Sequence, residues 1–142
     1  MSIKNNFEPL IIVFCCQWCS YAGGDMAGTS HLVYPANVRV IRVPCSGRVS
    51  PNLVLRAFQR GADAVLIAGC HPGDCHYISG NNLAYRRFHL FGSFLEFIGI
   101  EPERFGFHWI SASEGPKFAR IMTETTETIR SLGPNLKLRG QR

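Results

Sequence analysis

The chain carries six cysteines, Cys15, Cys16, Cys19, Cys45, Cys70 and Cys75. Three of them fall within five positions of the stretch "VFCCQWCSYAGGD", directly after an apolar run. Thiolates hold zinc and iron–sulfur clusters and exchange with disulfides. Cys16 and Cys19 form a C-x2-C bite, a spacing that lets two thiolates reach one metal centre. Neighbouring residues of an extended strand point to opposite faces, so only one of Cys15 and Cys16 joins a common site. The C-x2-C partner favours Cys16; a C-x3-C pair of Cys15 and Cys19 is the alternative. Pro72-Gly73 suits the centre of a type II turn, which folds Cys75 back towards Cys70. The candidate ligands are therefore Cys16, Cys19, Cys45, Cys70 and Cys75, one more than a four-ligand site requires.

Bulk properties set the context for those thiols. A chain of 142 residues, 46% hydrophobic, suits one domain with its own core. The start "MSIKNNFEPL" has no signal-peptide pattern. The longest apolar stretch, Leu10–Cys16, is far shorter than the roughly 18–20 residues a spanning helix needs. A soluble, cytoplasmic protein with no membrane partner is expected. In a reducing compartment, cysteines read as metal ligands or redox groups rather than structural disulfides. The formal charge is +5, and three of those charges (Lys137, Arg139 and Arg142) sit in the acid-free tail "NLKLRGQR". No basic stripe interleaves with aromatics, which argues against a nucleic-acid partner. The division expected is an α/β domain over residues 1–134 and a basic, solvated tail over 135–142.

Four strands and four helices are predicted to position the thiols. "LIIVF" (Leu10–Phe14) and "AVLIA" (Ala64–Ala68) are continuous apolar runs, as in central strands covered on both faces. "VRVIRV" (Val38–Val43) and "FGFHWI" (Phe105–Ile110) are patchier and suit edges. One helix starts at Pro51 behind a Ser50 cap and stops at Gly61, with Val54, Ala57 and Phe58 inward. A second spans about Asn81–Ile98 on Ala84, Phe88, Phe91, Leu95 and Ile98, and Gly99 stops it. A third spans about Pro116–Leu132 on Phe118, Ile121, Met122, Ile129 and Leu132. The weakest helix signal follows Asp25. Alternation of strand and helix implies one α/β domain, a parallel four-stranded sheet with helices on both faces. The expected strand order is flavodoxin-like, 2-1-3-4.

That framework gathers the cysteines. Cys15 and Cys16 directly follow the first strand, Cys45 follows the second by two residues, and Cys70 and Cys75 occupy the loop after the third. In an open parallel sheet these loops share the carboxyl edge, where such folds place ligands. Six thiols filling a core would scatter over strands and helices instead. Structural zinc normally uses two compact C-x2-C knuckles, and only one is present. An iron–sulfur cluster fits better beside Arg48, His71, His76 and backbone amides, because donors and positive charge stabilise its reduced form. A zinc-stabilised interaction module and a thiol–disulfide enzyme are the competing readings.

Other features read as structure. Asp25 and Asp74 are turn and cap residues rather than a paired acid and base. His71 and His76 flank Cys75 but are superfluous as ligands beside five thiols. Gly23, Gly24 and Gly28 lack the G-x-G-x-x-G spacing and any Walker lysine. Trp18 and Tyr21 suit a shield against water. "FHLFGSFLEFIG" is unusually aromatic, and core packing accounts for it better than an interface.

The blocks "FCCQWCSYAGGDMAG", "IRVPCSGRV", "GADAVLIAGCHPGDCHYISGN" and "IEPERFGFHWISASEGPKFA" resemble the delta subunit of methyl-viologen-reducing hydrogenase, a small iron–sulfur protein. The similarity runs over about residues 9–134, with the blocks in family order. It implies a small 2Fe–2S electron carrier of methanogenic archaea and their relatives. Such a carrier links a hydrogenase or formate dehydrogenase to the flavin-containing A subunit of heterodisulfide reductase. That assembly performs electron bifurcation, reducing both the CoM–CoB heterodisulfide and ferredoxin. The resemblance implies an electron-relay component of an oxidoreductase complex, with no independent active site. Its pattern falls on Cys16, Cys19, Cys45, Cys70 and Cys75, and Cys15 is additional to it.

Overall fold

A computed structural model describes residues 7–16, 37–69, 71, 80–111 and 113–138. Four strands, β1 (Ile11–Cys16), β2 (Val38–Val43), β3 (Ala64–Gly69) and β4 (Phe105–Trp109), form one sheet in the order β2-β1-β3-β4. All three pairings are parallel. The 2-1-3-4 order expected from the sequence is the one observed. β3 is buried at every position and β1 at all but one, whereas β2 and β4 are largely half-exposed. Continuous apolar runs thus take the centre and patchy ones the edges, because only central strands are covered on both faces.

The described helices are α1 (Pro51–Gln59), α2 (Gly80–Phe97) and α3 (Gly115–Leu132). Ser50 Oγ accepts the Leu53 amide at 3.3 Å and so caps α1. Gly99, at φ 101°, follows the end of α2, and Gly133, at φ 87°, ends α3; both adopt a backbone conformation that side chains disfavour. The expected helix after Asp25 lies outside the described residues.

The sheet divides two apolar layers. Val54 and Phe58 of α1 with Ala84, Phe88 and Leu95 of α2 pack on one face against Phe14, Val65 and Ile67. Phe118, Ile121, Met122 and Ile129 of α3 pack on the other against Val13, Cys15, Leu66 and Ala68. Leu132, expected inside, is 37% exposed. The aromatic run of α2 splits between inside and outside: Phe88 is buried and Phe91 partly so, while Phe94 is half-exposed and Phe97 nearly bare. No helix among the described residues is long and apolar enough to cross a membrane.

A polar staple closes the amino edge of the sheet. Asp63, just before β3, accepts the Leu10 amide through Oδ2 at 2.9 Å and the Asn135 amide through Oδ1 at 3.0 Å. Buried Arg104, just before β4, donates to the Asp63 and Gly133 carbonyls at 3.0 and 2.8 Å and to Glu101 Oε2 at 2.7 Å. The start of the basic tail is therefore anchored at Asn135, which is itself buried. With one edge committed to these structural bonds, the opposite edge is left for chemistry.

Candidate metal centre

β1 continues past the apolar run that predicts it. Cys15 pairs with Arg42 and Ala68, and Cys16 with Val43, so both cysteines are the last residues of the strand rather than the first of the loop. Strand alternation then separates them. Cys15 lies in the α3-side core with 0% exposure. Burial, and secondarily the neighbouring Cys16, pushes its thiol up to about 12, so it stays protonated and inert. Cys16, also buried, sends its thiol towards the Pro44 carbonyl at 3.8 Å, the residue before Cys45. The end of β1 and the turn after β2 thus meet through Cys16 and the Pro44-Cys45 peptide.

Cys45 is held by a short 3-10 turn, Ser46–Arg48. It occupies the cap position, where its sulfur accepts the Gly47 amide at 3.4 Å. Amides aimed at a sulfur favour thiolate over thiol, as a metal ligand requires. Arg87 of α2 pins this turn by donating to the Gly47 and Val49 carbonyls, both at 3.1 Å. Ser46 is buried beneath it, with an Oγ that has no partner among the described residues. Gly69, the last residue of β3, leaves no room for a side chain: a Cβ there would stand 2.9 Å from Ser46 Oγ and 3.1 Å from Phe107 Cζ.

Beyond β3, His71 is tied to the loop preceding α3. Its Nε2 meets Oε1 of Glu114, which also accepts the Ser111 amide at 2.9 Å. The Ser111 amide, and after it His71, hold the Glu114 carboxyl down at about 2, so the carboxylate accepts and the imidazole donates. Lys117 Nζ lies 3.8 Å from the other carboxylate oxygen. His71 is therefore fastened to the β4–α3 connection. Near the end of β4, Tyr85 stacks on Trp109 and Phe107 meets both edge-on, with ring centroids 4.9–5.7 Å apart.

Of the predicted ligands, Cys16 and Cys45 are brought together at the carboxyl edge, and Cys19, Cys70 and Cys75 lie outside the described residues. So do Trp18, Tyr21, Asp25, Asp74, His76 and the Gly23–Gly28 segment. Among the described residues, no three His, Cys, Asp or Glu side chains cluster closely enough to hold a metal ion. Arg48 is exposed at the end of the Cys45 turn. The residues present fit an iron–sulfur group: two buried thiols on neighbouring segments, an amide directed at one sulfur and an orphaned buried hydroxyl on the next residue. Sequence reasoning missed Ser46, Arg87 and Glu114, whose roles arise from contacts between distant segments that no local spacing encodes.

Comparison with known proteins agrees with this chemistry. The family model for the methyl-viologen-reducing hydrogenase delta subunit matches residues 11–133. The D-type iron-sulfur subunit of the F420-non-reducing hydrogenase of Archaeoglobus profundus is 52% identical, covering 93% of this chain and 96% of its own. Its counterpart in the vhc F420-non-reducing hydrogenase of Methanococcus voltae is 50% identical, covering 93% of this chain and 92% of its own. The A subunit of the ferredoxin:CoB-CoM heterodisulfide reductase of Methanosarcina mazei is 44% identical over 126 residues, which are 89% of this chain but 16% of that much longer one. The same sequence unit thus occurs both as a whole hydrogenase subunit and within a longer heterodisulfide reductase chain. The chain belongs to the methyl-viologen-reducing hydrogenase delta subunit family.

Proposed function

We propose that this chain is an electron-transfer protein carrying one 2Fe–2S cluster, held by four of Cys16, Cys19, Cys45, Cys70 and Cys75. The observation that carries the reading is that buried Cys16 directs its thiol to the Pro44 carbonyl, beside buried Cys45, whose sulfur receives an amide N–H. Cys15, turned into the core and kept protonated, is excluded from the set. When bound, the cluster supplies a one-electron store. The chain's own residues orient the ligands and direct the Gly47 N–H at sulfur.

The relatives support the choice of partners. One is by name a hydrogenase iron-sulfur component, and another is the A subunit of a heterodisulfide reductase. A unit of this kind is suited to pass electrons between the two. We read it as relaying electrons from a hydrogenase or formate dehydrogenase to the flavin-containing A subunit, within a cytoplasmic, electron-bifurcating assembly of methanogenic type. No independent active site is assigned, and the chain acts as the relay of an oxidoreductase complex.

The relay is tested with the native complex. Under hydrogen, or formate where that enzyme is the partner, the cluster signal of this chain should appear, and added heterodisulfide should discharge it. A chain carrying both Cys16→Ser and Cys19→Ser, left with three candidate ligands, should assemble yet show neither change. A complex that turns over normally with that variant would sink the reading.

A further inference from the structure

We propose that the Ser46 hydroxyl donates a hydrogen bond to a sulfur of the cluster and raises its reduction potential, an inference that rests on the cluster reading above. Ser46 is 1% exposed, and its Oγ meets no donor or acceptor among the described residues. A buried hydroxyl without a partner is costly, and native chains keep few of them. An acceptor that arrives with a bound group accounts for one that persists.

The position of this hydroxyl identifies the acceptor. Ser46 follows Cys45 directly, in the turn whose Gly47 amide already faces the Cys45 sulfur. It also stands over the last residue of β3, 2.9 Å from where a Gly69 Cβ would be, and Cys70 is the next residue in the chain. The hydroxyl thus belongs to the residue that follows one candidate ligand and stands over the residue that precedes another in the chain. The acceptors a cluster brings there are thiolate and sulfide sulfurs. Gly69 keeps the approach open, since a side chain would displace Ser46 Oγ. Arg87 holds the turn through its carbonyls, so the hydroxyl is not needed to fix the backbone.

The consequence is directional. Reduction adds one electron, delivered by the partner protein, and the proton stays on the serine oxygen. Extra negative charge on sulfur strengthens the O–H···S bond, so the reduced form gains more than the oxidised one. Ser46 therefore makes the site easier to reduce, as a donor to sulfur does in other clusters.

The experiment compares cluster-loaded full-length chain with Ser46→Ala and Ser46→Thr. It measures iron and sulfide content, the potential by spectroscopically monitored titration, and the thermal unfolding of each metal-free protein. Ser46→Ala should keep its iron and become about tenfold harder to reduce, which for a one-electron couple is a fall of about 59 mV. Ser46→Thr, which retains the hydroxyl, should stay near wild type. Metal-free Ser46→Ala should unfold no earlier than metal-free wild type, because no protein hydrogen bond is lost. Full iron with an unchanged potential in Ser46→Ala would overturn the inference while leaving the cluster reading intact. Earlier unfolding of the metal-free alanine variant would overturn it too, by showing that the hydroxyl bonds to protein. Wild-type chain that binds no iron would refute the cluster reading itself, and this inference with it.

Discussion

Alanine at Cys15 and alanine at Cys16 should have opposite consequences, although the two residues are adjacent. Cys15 is 0% exposed among apolar neighbours of β1, β3 and α3. Losing its sulfur resembles losing one buried methyl group, about 1 kcal/mol. For a domain of this size that lowers the melting temperature by about 3 °C. Cys15→Ser costs more, because an unpartnered hydroxyl in the same place adds roughly 1–3 kcal/mol. Neither change should remove iron. Cys16→Ala should remove most of it, since Cys16 points towards the Cys45 turn instead of the core. Thiol labelling adds a second readout. Buried and with its thiol pushed up to about 12, Cys15 should resist alkylation in the native, metal-free chain. Metal analysis and calorimetry on the three variants, with mass mapping of the alkylated sites, decide the matter. Equal iron loss from Cys15→Ala and Cys16→Ala, or rapid native labelling of Cys15, would refute the assignment of faces.

Three further outcomes are expected. Arg104→Met should destabilise the chain by about 3–5 kcal/mol, because it strands buried carbonyls of Asp63 and Gly133, yet the folded fraction should keep normal iron content; iron loss without destabilisation would contradict a purely structural staple. Arg87→Gln should cost about 1–2 kcal/mol and speed iron loss under a chelator, since it releases the Gly47 and Val49 carbonyls that hold the Cys45 turn. Glu114→Gln should be checked by unfolding at several pH values. The Glu114 carboxyl is held below its ordinary 4.5 at about 2, so its contribution is present above 4.5 and fades as pH falls towards 2. The side chain is 31% exposed, which limits the effect to about 0.5–1 kcal/mol near neutrality; an undiminished difference at the acid end would contradict the assignment.

The fold was legible because its signals are local. Unbroken apolar runs at Leu10–Phe14 and Ala64–Ala68 mark strands covered on both faces, and Ser50-Pro51 with Gly61 brackets a helix. Edge and centre character with right-handed crossovers suited the flavodoxin-like strand order without dictating it. Boundaries were less legible. β1 extends through Cys16 because backbone pairing with Ala68 and Val43 does not depend on side-chain type. Within the site, Cys45 was visible as a thiol just past a strand, but its cap bond to Gly47 was not. Arg87 acts across 40 residues of sequence on the Gly47 carbonyl, and Glu114 across 43 on His71, separations that no spacing rule spans. Ser46 looked like any small residue in a turn. Only tertiary burial turns its hydroxyl into a feature that asks for an acceptor.

The central claim, that the thiols of the carboxyl edge hold one iron–sulfur cluster, is tested most directly by metal and sulfide analysis of anaerobically purified chain. The expected product is reddish-brown, with about two irons and two acid-labile sulfides per chain. Colourless protein holding a single zinc, with no labile sulfide, would contradict it.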